Sequence, residues 1–249
     1  GEGIMARDII KTLLKFKNIK FEYFILEKSK NLKKLQKNNL NKFNVKWINN
    51  LKKFNKKNCF ILSNELLDAF PVKHLKKIQN KWYERYIFYN KTKKEPSSKF
   101  LILKKTPNDV LNFCNKNTNF IEYAPEIFKF VSEISKLVKN HKNNCFMTID
   151  YGYYDENFRN TLQALEKHKK VDIFHNPGNV DITYDVNFEF INRIFEKNSL
   201  TRTLNMSQSN FLIKYGILVR LKQAKKNLKN KLDKIKLDRS VNRLIDKKP

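Results

Sequence analysis

Glu27 and Glu65 each stand just past a run of residues that reads as a β-strand, and each has neighbours suited to a different chemistry. Gly1-Glu2-Gly3 lies directly before a helical pattern of apolar residues at Ile4, Met5, Ile9, Ile10, Leu13 and Leu14. Glycines there let backbone approach a ligand at the N-terminus of the following helix, where unpaired N–H groups point outward. Glu27, at the carboxyl end of the next strand, is placed to accept hydrogen bonds from ribose hydroxyls. A plain loop with a surface Glu accounts for these residues equally well. Glu65 belongs to Ser63-Asn64-Glu65-Leu66-Leu67-Asp68-Ala69-Phe70-Pro71-Val72. In an open α/β sheet, polar groups at this point line the ligand crevice. Asn64 offers a donor and an acceptor, and Glu65 and Asp68 are two carboxylates three residues apart. On a helical turn both acids would face one way. The alternative is the acid-rich first turn of a helix, favoured by its dipole.

The elements that must hold these groups alternate along the chain. Phe21–Leu26, Phe43–Ile48 and Cys59–Ser63 read as strands, and Ser29 is a candidate N-cap for a helix reaching about Leu40. Trp82–Tyr89 and Phe100–Leu103, separated by Lys-Lys-Glu-Pro-Ser-Ser, read as an antiparallel hairpin with a polar loop. Pro125 sits at the first turn of a helix through about Val138. Cys145–Tyr151 is a strand stopped by Gly152, and Ser207–Lys236 is helical and basic on one face. The pattern gives an α/β fold with a largely parallel sheet.

The 249 residues suffice for a sizeable core, and 41% hydrophobic content excludes a disordered chain despite a net charge of +28. Only eight of the 52 basic residues are Arg, whereas readers of phosphates and bases favour its bidentate guanidinium. The Lys excess accompanies an excess of Asn, Ile, Phe and Tyr, so it reads as compositional drift rather than as a specific nucleic-acid site. No run reaches the roughly 18 apolar residues of a membrane span, and no signal peptide is evident. A soluble protein of a bacterial cytoplasm or a mitochondrial matrix is expected. Cys59, Cys114 and Cys145 are expected to be buried reduced thiols, and the four histidines show no zinc spacing. His168 and His175 read as loop-ordering residues.

The run Ser63–Val72 resembles the Asn-Glu-x-x-Asp-Ala-x-Pro-Val signature of the MidA-like methyltransferases. Further motifs follow in the same order: Gly1-Glu2-Gly3 with Met5 and Asp8, Leu26-Glu27-Lys28-Ser29, Trp82-Tyr83-Glu84-Arg85, Glu122-Tyr123-Ala124-Pro125 and Ile149-Asp150-Tyr151-Gly152. Thr161-Leu162-Gln163-Ala164 with His168, Pro177-Gly178 before Asp181, and Gln208, Phe211-Leu212 and Gly216-Ile217 complete the series. The resemblance implies a Rossmann-like class I methyltransferase sheet with helices on both faces, in one domain over residues 1–249. Residues 1–80 would form the cofactor-binding half. Residues 81–249 would carry the rest of the sheet, substrate-side insertions and the basic C-terminal helix. The family's glycine loop begins one Gly-Pro step earlier and follows a strand, and its members carry an N-terminal helical region and a closing C-terminal strand. Gly1 and Pro249 are therefore expected to be fragment ends, with the first and last strands missing and the chain inactive as it stands.

By the same resemblance the cofactor is S-adenosyl-L-methionine, held around Gly1, Gly3, Glu27, Ser29 and Asn64. The resemblance likewise implies methyl transfer to an arginine of a protein substrate, a core subunit of respiratory complex I during assembly. Carboxylates must hold the planar guanidinium and aim a nitrogen at the methyl group. Glu65 is the first choice, Asp68 the second carboxylate and Asp150 the reserve, with Tyr151 and Gly152 walling the acceptor pocket. Glu84 and Arg85 read as a structural ion pair. A different acceptor, or a noncatalytic assembly factor retaining the fold, are the competing readings. A dehydrogenase fits the glycine loop and acid but not the Asn-Glu-x-x-Asp signature.

Overall fold

A computed structural model describes residues 1–246 apart from 53, 93, 106 and 168, so His168 and Pro249 lie outside the described residues. The elements, in order, are α1 (Ile4–Leu13), β1 (Tyr23–Leu26), α2 (Lys30–Asn39), β2 (Val45–Ile48), β3 (Phe60–Asn64), β4 (Lys73–Ile78) and β5 (Lys81–Asn90). They continue with β6 (Glu95–Ile102), α3 (Asn108–Leu111), β7 (Phe120–Tyr123), α4 (Glu126–Lys139), β8 (Cys145–Ile149) and β9 (Gly152–Tyr153). The last are β10 (Gln163–Glu166), β11 (Lys169–Val171), β12 (Asp181–Thr183), β13 (Val186–Asn187), α5 (Phe188–Lys197), α6 (Gln208–Lys214), α7 (Ile217–Asn227) and α8 (Lys231–Ile245). They form two compact units, residues 1–62 with 125–147 and residues 63–124 with 148–249, a division that does not follow the halves at residue 80.

In the first unit α1 starts at Gly3, whose φ of 90° lies in the left-handed region that favours glycine. It buries Ala6 and Ile10, one helical turn apart on one face. The helix α2 is capped as its sequence predicts: the Ser29 hydroxyl accepts the Leu32 N–H at 3.3 Å. β1 and β2 pair in parallel from Tyr23 opposite Val45 to Leu26 opposite Ile48. Pro125, with φ −58° already helical, opens α4, which buries Ile127, Val131 and Ile134 at i, i+4 and i+7. Asn144 fastens the exit of that helix: its Oδ1 accepts the Cys59 N–H at 2.8 Å and its Nδ2 donates to the Leu137 carbonyl at 2.8 Å.

The second unit carries a four-stranded sheet in the order β6-β5-β4-β7, antiparallel throughout. β4 and β5 are joined by Gln79-Asn80, both at positive φ (46° and 60°), the backbone of a two-residue hairpin turn. The hairpin of β5 and β6 forms where expected, but its loop is shorter. Glu95–Ser98 belong to β6, and Pro96 pairs opposite Tyr89, tolerated because β6 is an edge strand. β10 is flanked by β11 and β12 in a second antiparallel sheet, and β9 and β13 make a short parallel pair.

The pairings are thus mixed rather than largely parallel, because β4, which the sequence reading does not contain, joins the β5–β6 hairpin through the tight Gln79-Asn80 turn. The C-terminal region is three helices rather than one. It breaks at Gly216, at φ 88°, and again before Asn230, whose side chain caps α8. One further expectation, that the three thiols are buried, is corrected. Cys145 is exposed and Cys59 and Cys114 are only half-buried, though all three are free. Burial pushes the Cys114 thiol up to about 11, which keeps it protonated and inert. No helix among the described residues is long and apolar enough to cross a membrane.

Candidate active site

In the first unit a buried glutamine assembles the glycine loop and the acid. Gln36, on α2 and 3% exposed, donates through Nε2 both to the Gly1 carbonyl at 2.8 Å and to Glu27 Oε2 at 2.9 Å. Its own Oε1 accepts the Trp47 indole N–H at 3.0 Å. The Ser29 N–H reaches Glu27 Oε1 at 2.8 Å, and Asn39 Nδ2 reaches the Glu2 carbonyl at 3.0 Å. Each Glu27 oxygen therefore holds one protein donor and keeps lone-pair capacity for another. Gly3 is favoured by its left-handed φ, and a Cβ there would press on Leu40 Cδ1 at 3.2 Å, a tight contact that the Leu side chain would have to yield to. Gly1, Gly3, Glu27 and Ser29 are thus brought together, and Ser29 serves as helix cap and as the donor that orients Glu27.

The acids of the second unit sit on a tight loop, not on the helical turn anticipated. Glu65 adopts φ 48°, and its N–H bonds the Ile149 carbonyl at 2.9 Å. A left-handed Glu is uncommon, since the αL region crowds Cβ against carbonyl oxygen. Asp150 explains how the loop holds this shape. Its Oδ2 accepts the N–H groups of Leu66, Leu67 and Asp68 at 3.1, 2.8 and 3.4 Å, and its Oδ1 that of Tyr151 at 3.0 Å. Burial raises the Asp150 carboxyl to about 6 despite those N–H groups, and the Asp68 charge adds to the rise. On the other side of the loop Thr183 Oγ1 donates to Asp68 Oδ2 at 2.9 Å, and the buried Tyr184 hydroxyl donates to the Leu67 carbonyl at 2.6 Å.

The candidate residues therefore divide by what their side chains already do. Asp150 has its oxygens engaged by backbone, Asp68 has one partner, and Glu65 and Asn64 are exposed with no hydrogen-bond partner for their side chains among the described residues. Tyr151 is 64% exposed beside them. Gly152 serves the backbone: a Cβ would fall 2.2 Å from the Val186 carbonyl oxygen, so only glycine lets β9 lie against β13. Gln36, Thr183 and Tyr184 were missed by sequence reasoning, for their partners lie up to 117 residues away. His175 stands on the loop where it was read, 3.5 Å from Glu166. Glu84 pairs with Lys73 at 2.8 Å rather than with Arg85, whose Nε donates to Ser98, because neighbouring residues on a strand point to opposite faces. Among the described residues no group of three or more His, Cys, Asp and Glu side chains could hold a metal ion.

Comparison with known proteins bears on the fold and the family. Two crystal structures of COG1565 superfamily proteins from Burkholderia thailandensis share the fold over 99% of this chain, at 21% identity. One, with a TM-score of 0.80 and 66% of its length covered, is bound to S-adenosyl-homocysteine; the other has a TM-score of 0.83 and 68% covered. The mitochondrial protein arginine methyltransferase NDUFAF7 of Rattus norvegicus is 25% identical over 178 residues, 72% of this chain and 40% of the relative. Its homolog in Caenorhabditis elegans is 27% identical over 193 residues, 74% of this chain and 43% of the relative. The chain spans less than half the length of either. The pattern of a family described as S-adenosyl-L-methionine-dependent methyltransferases matches residues 1–206, and the chain belongs to that family.

Proposed function

We propose that this protein transfers a methyl group from S-adenosyl-L-methionine to an arginine of a protein substrate. The observation that carries the reading is the Gln36 side chain, which ties the Gly1 carbonyl to the Glu27 carboxylate and so builds one cradle from the glycine loop and the acid. That cradle fits the cofactor. Gly1 and Gly3 expose backbone, Glu27 would accept the ribose hydroxyls, and Ser29 and Gln36 keep its carboxylate aimed. When bound, the cofactor supplies an electrophilic methyl on a sulfonium. In this reading residues 1–80 carry the cofactor groups, Asn64 at the end of β3 among them, and residues 81–249 carry the rest of the sheet, the substrate-side insertions and the basic C-terminal helix.

On the acceptor side Glu65 is the group free to bind a guanidinium, and its left-handed backbone is strain of the kind that collects at functional positions. Asp68, fixed by Thr183, is the second carboxylate, and Asp150 shapes the loop that presents both. Tyr151 gives the guanidinium an aromatic face. Arginine as acceptor and a complex I subunit as substrate follow the family resemblance and the names of the curated relatives. A mitochondrial matrix or a bacterial cytoplasm is the corresponding location. Isothermal titration with S-adenosyl-L-methionine, with Glu27→Ala as control, tests the cofactor half. Mass spectrometry of a methylated partner protein tests the acceptor. Cofactor binding without any methylated protein would favour a noncatalytic assembly factor.

A further inference from the structure

We propose that Glu122 is a positioning residue for the acid loop, acting through Thr161 and the segment 183–185; the proposal rests on reading residues 65–68 as the acceptor side. Glu122 lies on β7 with its side chain 1% exposed, and His74 on the neighbouring β4 is 3% exposed, their Oε2 and Nε2 2.6 Å apart. Arg85 Nη1 stands 3.5 Å from the other imidazole nitrogen, so a cation, an imidazole and a carboxylate follow one another across three adjacent strands. A buried carboxylate needs its lone pairs filled, and apart from His74 the partners of Glu122 come from one place. The carboxylate accepts the Thr161 N–H at 3.1 Å, the Leu162 N–H at 3.1 Å and the Thr161 hydroxyl.

That hydroxyl is the link onward, because Thr161 Oγ1 also accepts the Asp185 N–H at 2.8 Å. The two residues before Asp185 then reach the acid loop. Tyr184 holds the Leu67 carbonyl and Thr183 holds Asp68. Three long-range hydrogen bonds thus lead from a buried glutamate that touches no reacting group to the side chain of Asp68, with the Tyr184 bond to Leu67 alongside. A fastener for the sheet alone would not need the hydroxyl to bind in both directions. Charge-assisted hydrogen bonds set geometry more tightly than neutral ones, which suits a carboxylate at the root of the chain.

The test uses Thr161→Val, Thr161→Ser, Thr183→Val and the double Thr161→Val/Thr183→Val variant, each followed by amide hydrogen exchange, by cofactor titration and by methyl transfer. Thr161→Val should speed exchange at Leu66, Leu67 and Asp68 and lower kcat roughly 10–100-fold, the scale of a 1 Å misplacement at a reacting group. Cofactor affinity should stay unchanged. Thr161→Ser keeps the hydroxyl and should restore both readouts. The double variant should be no worse than the worse single one, since both cut the same path. Exchange that rises only at Thr161 and Leu162, or losses that add in the double variant, would overturn the proposal. Should the protein not methylate arginine at all, the exchange measurements still decide the positioning role, while the missing product counts against the enzymatic reading.

Discussion

In the first unit Glu27 has both carboxylate oxygens engaged, by the Ser29 N–H and by Gln36, on backbone that needs no special conformation. In the second, Glu65 has no side-chain partner among the described residues, and its backbone is held at φ 48° by a loop that three other residues restrain. Both acids follow a strand, and both read from sequence as candidate ligands for the same reaction. The difference fits their assigned tasks. A ribose is a neutral ligand gripped in one pose, so its acceptor is best preorganised by its own neighbours. A guanidinium is a cation that brings five donors of its own, and a carboxylate meant for it is best left unfilled.

The sharpest way to break the comparison is Glu65→Gln. The amide keeps the shape and loses the charge, so methyl transfer should fall at least about a hundredfold, the scale for losing a key electrostatic group. Cofactor affinity should be largely intact. Steady-state kinetics with a protein acceptor decide it, and unaffected transfer would make Glu65 a bystander. Glu27→Ala should give the converse pattern. Two ribose hydroxyls lose a charged acceptor, which costs roughly 1.5–3 kcal/mol of S-adenosyl-L-methionine binding. Unchanged affinity by isothermal titration would remove the ribose assignment.

A smaller effect separates strain from chemistry at the same position. A left-handed conformation costs a non-glycine residue about 1–2 kcal/mol, part of which glycine returns as greater unfolded-state entropy. Glu65→Gly should therefore leave the protein as stable as before or up to about 1 kcal/mol more stable, while methyl transfer is lost. Urea denaturation gives the stability. A clear destabilisation would show that the Glu65 side chain supports the fold, against its free state in the structure.

How much of this was legible in the sequence depends on the reach of each interaction. The Ser29 cap, the Pro125 helix start and the strand ends at Glu27 and Asn64 are local events, and local residue types gave them away. Gln36 was not legible, because a polar residue on a helix reads as solvent-facing until Gly1 and Glu27 are folded onto it. Nor was the loop at Glu65 to Asp68. Acids three apart suit a helical turn by spacing, and only Asp150, more than 80 residues on, makes the tight alternative cheaper by collecting its amides. The Gln79-Asn80 turn carries no glycine to announce it, so an antiparallel sheet was underestimated. Asp150 shows the limit most plainly. As a residue type it was a fair catalytic candidate, yet its neighbours engage it as an anchor.

That anchoring yields the smallest prediction, a pH dependence of stability. Burial raises the Asp150 carboxyl from 3.8 to about 6 in the folded protein, against the pull of the Leu67, Asp68 and Leu66 N–H groups. The folded state therefore binds this proton more tightly than the unfolded chain does. Between those two values the folded state carries more protons, so stability from this group is full below about pH 4 and declines as pH rises to about 6. Asp150 is only half-buried, and screening keeps the change to about 1 kcal/mol or less. Other carboxylates pull the opposite way: burial aside, Asp155 is held low by the Asn157 N–H and by Arg159, so the wild-type profile alone is not diagnostic. The difference between wild type and Asp150→Asn isolates the group. Urea denaturation at pH 4 and pH 7 should show the variant's deficit shrinking at pH 7, because only the wild type bears the cost of ionising a half-buried carboxyl. A deficit that grows from pH 4 to pH 7 would mean that the ionised form is the favoured partner of the loop amides. Asp150 would then be a conventional charged anchor, no different in kind from Glu27.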